Sequence, residues 1–263
     1  MSTLQEISQF LGQLAPLHLA EAWDNVGLLV GRQQRMVASV MTCLTLTPAA
    51  VAEAVDRQAQ LVVVHHPLPF RPINRITDES TTGRLLLDLA QHDIAVYSSH
   101  TAFDSAAHGI NQQLAEGLGL QEIQPLILCD RDAQGLGSGR WGTLPQPVPF
   151  VELASRLKKR LGIDHMEAVG VRDRWVHRVA IGCGSAGTLL TAARDTNCDT
   201  MILGETNFHT CLEAIALGVN LLLCGHFASE RFALEWLAER LAEQFSGLSV
   251  WCSEQEADPL WQV

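Results

Sequence analysis

No apolar run in the sequence reaches the length of about 20 residues that a membrane-spanning helix needs. Residues 1 to 6 also lack the basic and apolar regions of a signal peptide. With 47% hydrophobic and 18% charged residues, the composition is that of a folded chain and excludes a disordered tract. We therefore expect a cytoplasmic globular protein with no membrane segment, and 263 residues suffice for one large or two modest domains.

Paired cysteines and an excess of positive charge are also absent. The seven cysteines include no C-x-x-C pair, which argues against a zinc knuckle or a redox dithiol and predicts reduced thiols in the core. Any metal ligands should therefore be histidine and carboxylate side chains. The formal net charge of -11 disfavours nucleic acid as a partner, because nonspecific binding depends on Lys and Arg. A small anionic substrate stays compatible, because bound divalent ions can reverse the local charge.

The apolar pattern predicts an α/β fold class with two related lobes, residues 1–128 and 129–263, separated at the polar, glycine-rich segment 129–139. In the first lobe we expect helices over 3–14, 49–59, 81–91 and 109–117, and strands over 36–46, 61–64 and 94–99. In the second lobe we expect helices over 150–161, 188–196, 208–217 and 231–244, and strands over 176–183, 199–203, 219–224 and 248–252. Both lobes repeat strand, helix, strand and polar cluster, which indicates a weak internal duplication.

The centre of this pattern is a strand that ends in two histidines. The apolar residues 61–64 predict a buried strand, His65 and His66 follow it, and Pro67 prevents it from continuing. At such a strand end both imidazoles can turn toward one site, and imidazole is the commonest metal ligand in proteins. The pair is therefore either a metal anchor or two loop histidines in contact with water.

Similar polar residues follow three other predicted strands. They are His100 and Asp104, Glu205, and His226 and Glu230. The carboxyl ends of strands in open α/β sheets hold the binding sites, and a spacing of four places two side chains on one face of a helical turn. Together with the paired histidines, this set suits two divalent ions bridged by a carboxylate. The structural alternative is a buried or capping histidine at 226 and a capping-box residue at 230.

Other loops have two interpretations each. The turn at Asp24 and Asn25 is either a local Asx-type turn or part of a pocket. Residues 182–187 have the spacing G-x-G-x-x-G, but the following strand lacks the expected acidic residue, which leaves a backbone anion site rather than a dinucleotide fold. Arg71, Arg75 and Arg231 lie beside the polar clusters in sequence, where they would bind an anionic substrate tail or form surface salt bridges.

Five segments occur here in a characteristic order: Ala22-Trp23-Asp24-Asn25-Val26-Gly27, His65-His66-Pro67-Leu68, His100-x-x-x-Asp104, Gly204-Glu205 and Gly225-His226-x-x-x-Glu230. In this order they closely resemble the Nif-three-like dinuclear-metal proteins, often labelled GTP cyclohydrolase I type 2 homologues. The resemblance extends from about residue 3 to residue 255, and residues 140–145 look like the arm that leads into the second lobe of that family.

The resemblance implies a ligand set for two divalent metal ions, with Asp104 and Glu230 as bridges: His65, His66, Asp104, His226 and Glu230. It implies that His100 lines the site or orients a ligand, and Glu205 is our candidate proton carrier. A mixed histidine and carboxylate set does not distinguish Zn, Mn, Fe and Mg. The role of His209 is left open. The implied architecture is three-layer α/β with mixed sheets in two related lobes, assembled as a toroidal homohexamer.

The implied activity is that of a metal-dependent hydrolase. In the GTP cyclohydrolase type of reaction, the imidazole ring of a nucleotide substrate, GTP, is opened with release of formate. The alternative is a non-catalytic hexamer that binds metal ions in order to store, deliver or sense them, or that acts as a scaffold for a partner. Turnover distinguishes the two, because only the hydrolase consumes a nucleotide.

Overall fold

The computed structural model describes residues 2–261, which divide into two compact units. The first unit comprises the chain up to Phe103 together with the part from Ala233 onward, and the second unit comprises Asp104–Phe232. This division differs from the predicted boundary between residues 128 and 129. The physical reason is that the last strand of the chain pairs with a strand of the first sheet instead of completing the second.

The elements of the first unit begin with a capped helix. Thr3 and Glu6 form a capping box at the start of α1, in which the Thr3 amide donates to the Glu6 carboxylate at 2.8 Å. In chain order the elements are β1 (Ser2–Thr3), α1 (Leu4–Leu14), β2 (Gly27–Val30), β3 (Met36–Val37), β4 (Ser39–Cys43), α2 (Pro48–Asp56), β5 (Leu61–Val64), α3 (Thr81–Gln91) and β6 (Ala95–Ser98). The helix α4 (His100–Ser105) follows β6.

The second unit continues with α5 (Ile110–Gly117), β7 (Gln121–Gln124), β8 (Ile127–Leu128), β9 (Gly137–Ser138), β10 (Arg140–Pro149), α6 (Phe150–Leu161), β11 (Glu167–Val169) and β12 (Trp175–Gly182). After a 3-10 turn at Gly187–Leu189 come α7 (Leu190–Asp195), β13 (Thr200–Leu203), α8 (Phe208–Leu217), β14 (Asn220–Leu223) and α9 (His226–Glu230). The chain then forms α10 (Phe232–Gln244) and β15 (Ser249–Cys252).

Each unit contains one mixed sheet. In the first, the strand order is β15-β4-β5-β6-β2, with β2 antiparallel to the four parallel strands. In the second, the order is β11-β14-β13-β12-β10-β7, in which β12, β13 and β14 are parallel and the outer strands are antiparallel. The central strands β5, β6, β13 and β14 are buried along their whole length, which is why they appear in the sequence as continuous apolar runs. The α/β fold class is confirmed.

The sequence-based predictions match the structure best where one strong apolar pattern controls the element. The bounds of β5, α3, α6 and α8 agree with the predicted ones. The predicted strand over 36–46 is wrong as a single element, because it divides into β3 and β4, which belong to different sheets. The antiparallel strands β7, β10 and β11 were not predicted. β7 and β11 are short and mostly exposed, and β10 contains three prolines and an exposed stretch over 145–147.

The repeated order predicted from the sequence is present in both units. Three parallel strands joined by helices occur as β4-α2-β5-α3-β6 and again as β12-α7-β13-α8-β14. Each set is followed by a short helix that begins with a histidine and carries a carboxylate four residues later. No helix within residues 2–261 has the length and apolar character needed to cross a bilayer.

A fully buried arginine fixes the start of β10. The Arg140 side chain donates to the carbonyl oxygens of Ser105 and Ala106 at 2.9 and 2.7 Å, and to those of Gly137 and Gly139 at 2.8 and 2.7 Å. Burial lowers the pKa of Arg140 to about 10, which still leaves the guanidinium charged at neutral pH. It therefore ties the carboxyl end of α4 to β10 within the second unit.

Candidate metal centre

Three histidines of the first unit form a cluster at the carboxyl edge of its sheet. His65 and His66 follow β5, and His100 begins α4 after β6, the parallel neighbour of β5. The ring centroids are 5.0 Å apart for His65 and His66, 5.1 Å for His65 and His100, and 5.5 Å for His66 and His100. One ring nitrogen of each histidine lies within 4.8 Å of the others. These three imidazoles can therefore hold a metal ion.

Polar partners fix the orientation of two of these rings. Nδ1–H of His100 donates to Oδ1 of Asp24 at 2.7 Å, and Nδ1 of His66 is 2.7 Å from the hydroxyl of Thr45. With Nδ1 engaged in this way, Nε2 would be the ring nitrogen that coordinates a metal ion, which is the usual arrangement when an outer partner orients a ligating histidine. His100 also has a φ of +23°, an unusual backbone conformation for a non-glycine residue.

Asp24 is a buried carboxylate with several donors. Thr101 donates to it through its backbone amide at 3.1 Å and also through its hydroxyl, and His100 donates to its other oxygen. Burial by itself raises the pKa of Asp24, but the hydrogen bonds from His100 and Thr101 and the charge of His100 outweigh this, so the pKa lies below its ordinary value. Asp24 therefore stays ionised beside the His100 ring. The turn is also local, because Asn25 donates its amide to Asp24 at 2.8 Å.

Two exposed aromatic rings border the histidine cluster. Trp23 and Phe70 have ring centroids 5.9 Å apart, and they lie 5.8 and 5.6 Å from the ring of His100. Both contacts with His100 are edge-to-face. Trp23 is 61% exposed and Phe70 is 46% exposed, so much of their apolar surface faces solvent.

The second unit contains a line of contacts from Glu205 through His226 to Glu230. Nδ1 of His226 is 2.9 Å from Oε1 of Glu205, and Nε2 is 3.1 Å from Oε2 of Glu230. The hydrogen bond with Glu230 is the main cause that raises the pKa of His226 to about 9; burial opposes the shift, and Glu205 adds to it. The two carboxylates thus place negative charge on both sides of the His226 ring.

The glycine run after β12 makes room for this arrangement. Gly184 has a φ of +65°, and a Cβ there would lie 2.2 Å from Oε1 of Glu230 and 3.3 Å from Nε2 of His226. Its amide also donates to the hydroxyl of Ser229 at 2.9 Å. Gly184 therefore permits close packing against Glu230, whereas Gly182 and Gly187 permit close approaches to Ala186 and Thr206.

Asp104 belongs to the second unit, and a hydrogen bond to its backbone carbonyl helps to fix its position. Asn111 donates to the Asp104 carbonyl at 3.0 Å and accepts from the Cys183 amide at 2.8 Å. Burial raises the pKa of the Cys183 thiol well above its ordinary value, and the negative charges of Glu230 and Asp104 contribute to that shift. Cys183 is therefore a neutral thiol, as predicted for a core cysteine.

The remaining predicted residues lie in more open surroundings. Arg71 and Arg75 are exposed in the segment after Phe70, all of which is exposed as far as Ser80. Arg231 is half-buried directly after Glu230, and His209 is exposed on α8. Their exposure is compatible with the predicted binding of an anionic substrate tail. This role of Arg71 and Arg75 stays a prediction.

The sequence did not assign Thr45 to the site, and it left Asp24 between two interpretations. Thr45 lies in the loop after β4, and only the pairing of β4 with β5 brings this loop beside His66. Asp24 contacts His100 and Thr101, which lie 76 and 77 positions further along the chain. The only sequence signal was the unusual turn composition around Trp23, which indicated a specific turn without identifying its partner.

Comparison with known proteins shows one family model and several curated relatives that match nearly the whole chain. The family model described as Duf34/NIF3 (NGG1p interacting factor 3) matches residues 2–259. A GTP cyclohydrolase 1 type 2 homolog of Clostridium perfringens is 31% identical over 257 residues, which cover 97% of this chain and 98% of that protein. The GTP cyclohydrolase 1 type 2 of Helicobacter pylori is 30% identical over 239 residues, covering 89% and 90% of the two chains.

The fold of this chain also matches that of a solved structure. The crystal structure of a Bacillus cereus protein related to NIF3 has a TM-score of 0.91 at 20% sequence identity, covering 100% of this chain and 99% of that one. At this identity the likeness concerns the fold alone, whereas the family model covers nearly the whole sequence. The chain is a member of the Duf34/NIF3 family.

Proposed function

We propose that this protein is a metal-dependent hydrolase of a nucleotide, with GTP as the first substrate to test. The observation that carries the proposal is the cluster of His65, His66 and His100, in which Asp24 and Thr45 orient two of the three rings. Oriented imidazoles with carboxylate and hydroxyl partners are typical of metal ligands. The name of the Helicobacter pylori relative supplies GTP as the substrate.

The donor chemistry fits divalent ions such as Zn, Mn, Fe or Mg. The ligand set in the proposal is the one that the family resemblance implies for two ions: His65, His66, Asp104, His226 and Glu230. His100 joins this set through its place among the first unit's histidines. In support, Glu230 is 3% exposed and contacts His226, so a buried carboxylate and an imidazole already lie together within the second unit.

A bound divalent ion would lower the pKa of a coordinated water toward about 7 and polarise the substrate. Asp24 would hold His100 in one tautomer and one orientation. Glu205 is half exposed and contacts Nδ1 of His226, so it can orient that ring and can also exchange protons with solvent. Arg71, Arg75 and Arg231 would hold the phosphate groups. Release of formate from GTP requires hydrolysis of both C–N bonds of the ring carbon that lies between the two imidazole nitrogens.

The test combines elemental analysis with an assay for formate. We expect the purified protein to contain about two divalent ions per chain, as in dinuclear hydrolytic sites, and to release formate from GTP. The double substitution His65→Ala, His66→Ala should remove the metal ions. A matched control replaces two exposed histidines of the second unit, His165→Ala and His177→Ala, and should retain them.

The substitution Glu230→Gln separates catalysis from folding, because it keeps the size of the side chain. We expect formate release to fall by at least about 100-fold, because a neutral amide replaces a charged proposed metal ligand and weakens the centre on which turnover depends. Retention of the wild-type rate by Glu230→Gln, or by metal-free protein, would refute the mechanism. Metal binding without turnover of GTP would instead favour a protein that stores or delivers metal ions.

A further inference from the structure

Trp23 and Phe70 are large apolar side chains that stay exposed beside polar groups. Exposure of a large aromatic surface is unfavourable in water, and contiguous exposed apolar surface in a soluble protein commonly marks a binding site. Their centroids lie within 6 Å of the His100 ring, and His100 lies 5.1 and 5.5 Å from His65 and His66. A ligand on these rings would therefore touch the edge of the histidine cluster.

Hydrogen bonds hold together the loops that carry the two aromatic residues. The side-chain amide of Asn25 donates to the Pro69 carbonyl at 2.9 Å, which ties the loop of Trp23 to the loop of Phe70. On the other side of Trp23, the Glu21 amide donates to the Thr101 hydroxyl at 3.0 Å. Because these loops are already held together, binding of a ligand on the rings requires little ordering of the backbone.

We propose that Trp23 and Phe70 form a stacking surface for the planar heteroaromatic ring of the substrate, a purine base. The inference rests on the proposed function for the identity of the substrate. An aromatic ring offers a π face to any base, and its hydrogen-bonding edges remain in contact with solvent and polar side chains. Arg71 follows Phe70 directly and is exposed, so a phosphate group on the same ligand would meet a positive charge.

The experiment measures binding separately from turnover. Equilibrium dialysis of the full-length protein is carried out with GTP, guanosine and inorganic tripolyphosphate, and the ligands are checked for integrity afterwards. We expect Trp23→Ala to weaken the binding of GTP and guanosine by roughly 10- to 100-fold, the effect of losing one stacking contact. Trp23→Phe should stay within about threefold of wild type, because it keeps an aromatic face. Tripolyphosphate binding should be unchanged by Trp23→Ala and weakened by Arg71→Ala.

Trp175→Ala is the matched control, since Trp175 is 64% exposed in the second unit, and it should leave all three affinities unchanged. Phe70→Ala provides an independent variant, with circular dichroism and metal content as checks of folding. Equal affinity of Trp23→Ala and wild type for guanosine, or no binding of GTP and guanosine by wild type at millimolar concentration, would overturn the inference. A change of oligomeric state in Trp23→Ala with unchanged affinity would also overturn it, because the rings would then cover a subunit surface.

Failure of the two proposals can be told apart. If GTP binds through Trp23 but no formate is released, the stacking surface stands and the hydrolase fails. If formate is released with the same KM in Trp23→Ala and in wild type, the hydrolase stands and the stacking surface fails.

Discussion

At the scale of single residues, the most informative side chain is Asp24. Its carboxylate holds His100 and Thr101 and has a lowered pKa, so it acts as a permanent negative charge behind one imidazole of the cluster. The sequence pattern indicated that the turn was special, but it could not identify His100 as the partner. That pairing depends on how β2 and β6 are placed next to each other in the sheet.

We predict that Asp24→Asn lowers the affinity of the protein for Zn²⁺ by about 10- to 100-fold, the usual effect of losing an outer partner of a metal ligand. The amide can still accept one hydrogen bond, but it removes the charge that favours a cation at His100. Competition with a chelator of known affinity measures the change. Asp78→Asn, at an exposed position, should behave as wild type, and equal affinities in both variants would contradict this role for Asp24.

Gly184 offers a second prediction at this scale. Gly184→Ala should lower metal affinity, because the new Cβ would meet Oε1 of Glu230 and displace a proposed ligand. Gly119 has a similar φ of +73° with no atom within 4 Å of its Cβ position, so Gly119→Ala introduces the backbone strain alone. We expect Gly119→Ala to lose about 1–2 kcal/mol of unfolding free energy, as for any L-residue in the left-handed region, and Gly184→Ala to lose at least as much, because it adds the contact with Glu230. Only Gly184→Ala should lose metal in the chelator competition; equal metal affinities would show that the contact is unimportant.

At the scale of elements, the strand ends explain why part of the site could be predicted. His65, His66 and His100 follow strands that are buried and strongly apolar, so their position at one sheet edge followed from the pattern. Thr45 also follows a strand, but a threonine in a loop has no distinctive signal. The antiparallel strand β10 escaped prediction because it contains three prolines, and β11 escaped it because it is only three residues long and mostly exposed.

The C-terminal strand β15 is attached to the rest of its unit by two acidic residues. The buried carboxylate of Glu53 on α2 accepts from the Ser253 hydroxyl at 2.6 Å and from the Glu254 and Gln255 amides at 3.1 Å. Glu256 accepts from the amides of Leu44 and Thr45 at 2.9 and 2.7 Å. The segment after β15 therefore fixes the loop whose Thr45 hydroxyl contacts His66.

We predict that Glu53→Gln lowers the free energy of unfolding by about 1.5–3 kcal/mol at neutral pH, the range for hydrogen bonds to a charged group. Burial raises the pKa of Glu53, but the hydrogen bonds from Ser253, Glu254, Gln255 and Trp251 outweigh it and leave the pKa below 4.5. A carboxylate with a lowered pKa stabilises the fold above its unfolded pKa, and this contribution is lost as the pH falls through the folded value.

Urea unfolding at several pH values checks this prediction. The difference between wild type and Glu53→Gln should be constant above about pH 5.5 and should shrink as the pH falls below 4.5, the ordinary value for glutamate. Asp56→Asn, an exposed substitution on the same helix, should show no such difference. A difference that stays the same down to pH 3 would mean that the charge of Glu53 is not what stabilises the segment.

At the scale of the whole molecule, the sequence predicted the α/β class, the repeated order of elements and most of the parallel strands. It did not predict that the first unit is discontinuous along the chain. The strand at 249–252 has the same apolar character as the strands before it, so nothing local indicates which sheet it joins. In the structure this strand joins the first sheet, where Val250 pairs with Val40 and Glu53 is buried. Both features depend on contacts between residues far apart in the chain.

This discontinuity has a consequence for synthesis on the ribosome. The residues up to Phe103 leave the ribosome first, but β4 must wait for β15 until the entire second unit has been translated. During that interval β4 presents an open strand edge, which is a site of aggregation in a nascent chain. The loop that carries Thr45 likewise gains its Glu256 contacts only after residue 256 has been synthesised, more than 200 residues later. Under the proposed function, His66 would therefore be oriented for metal binding only after residue 256 has been synthesised.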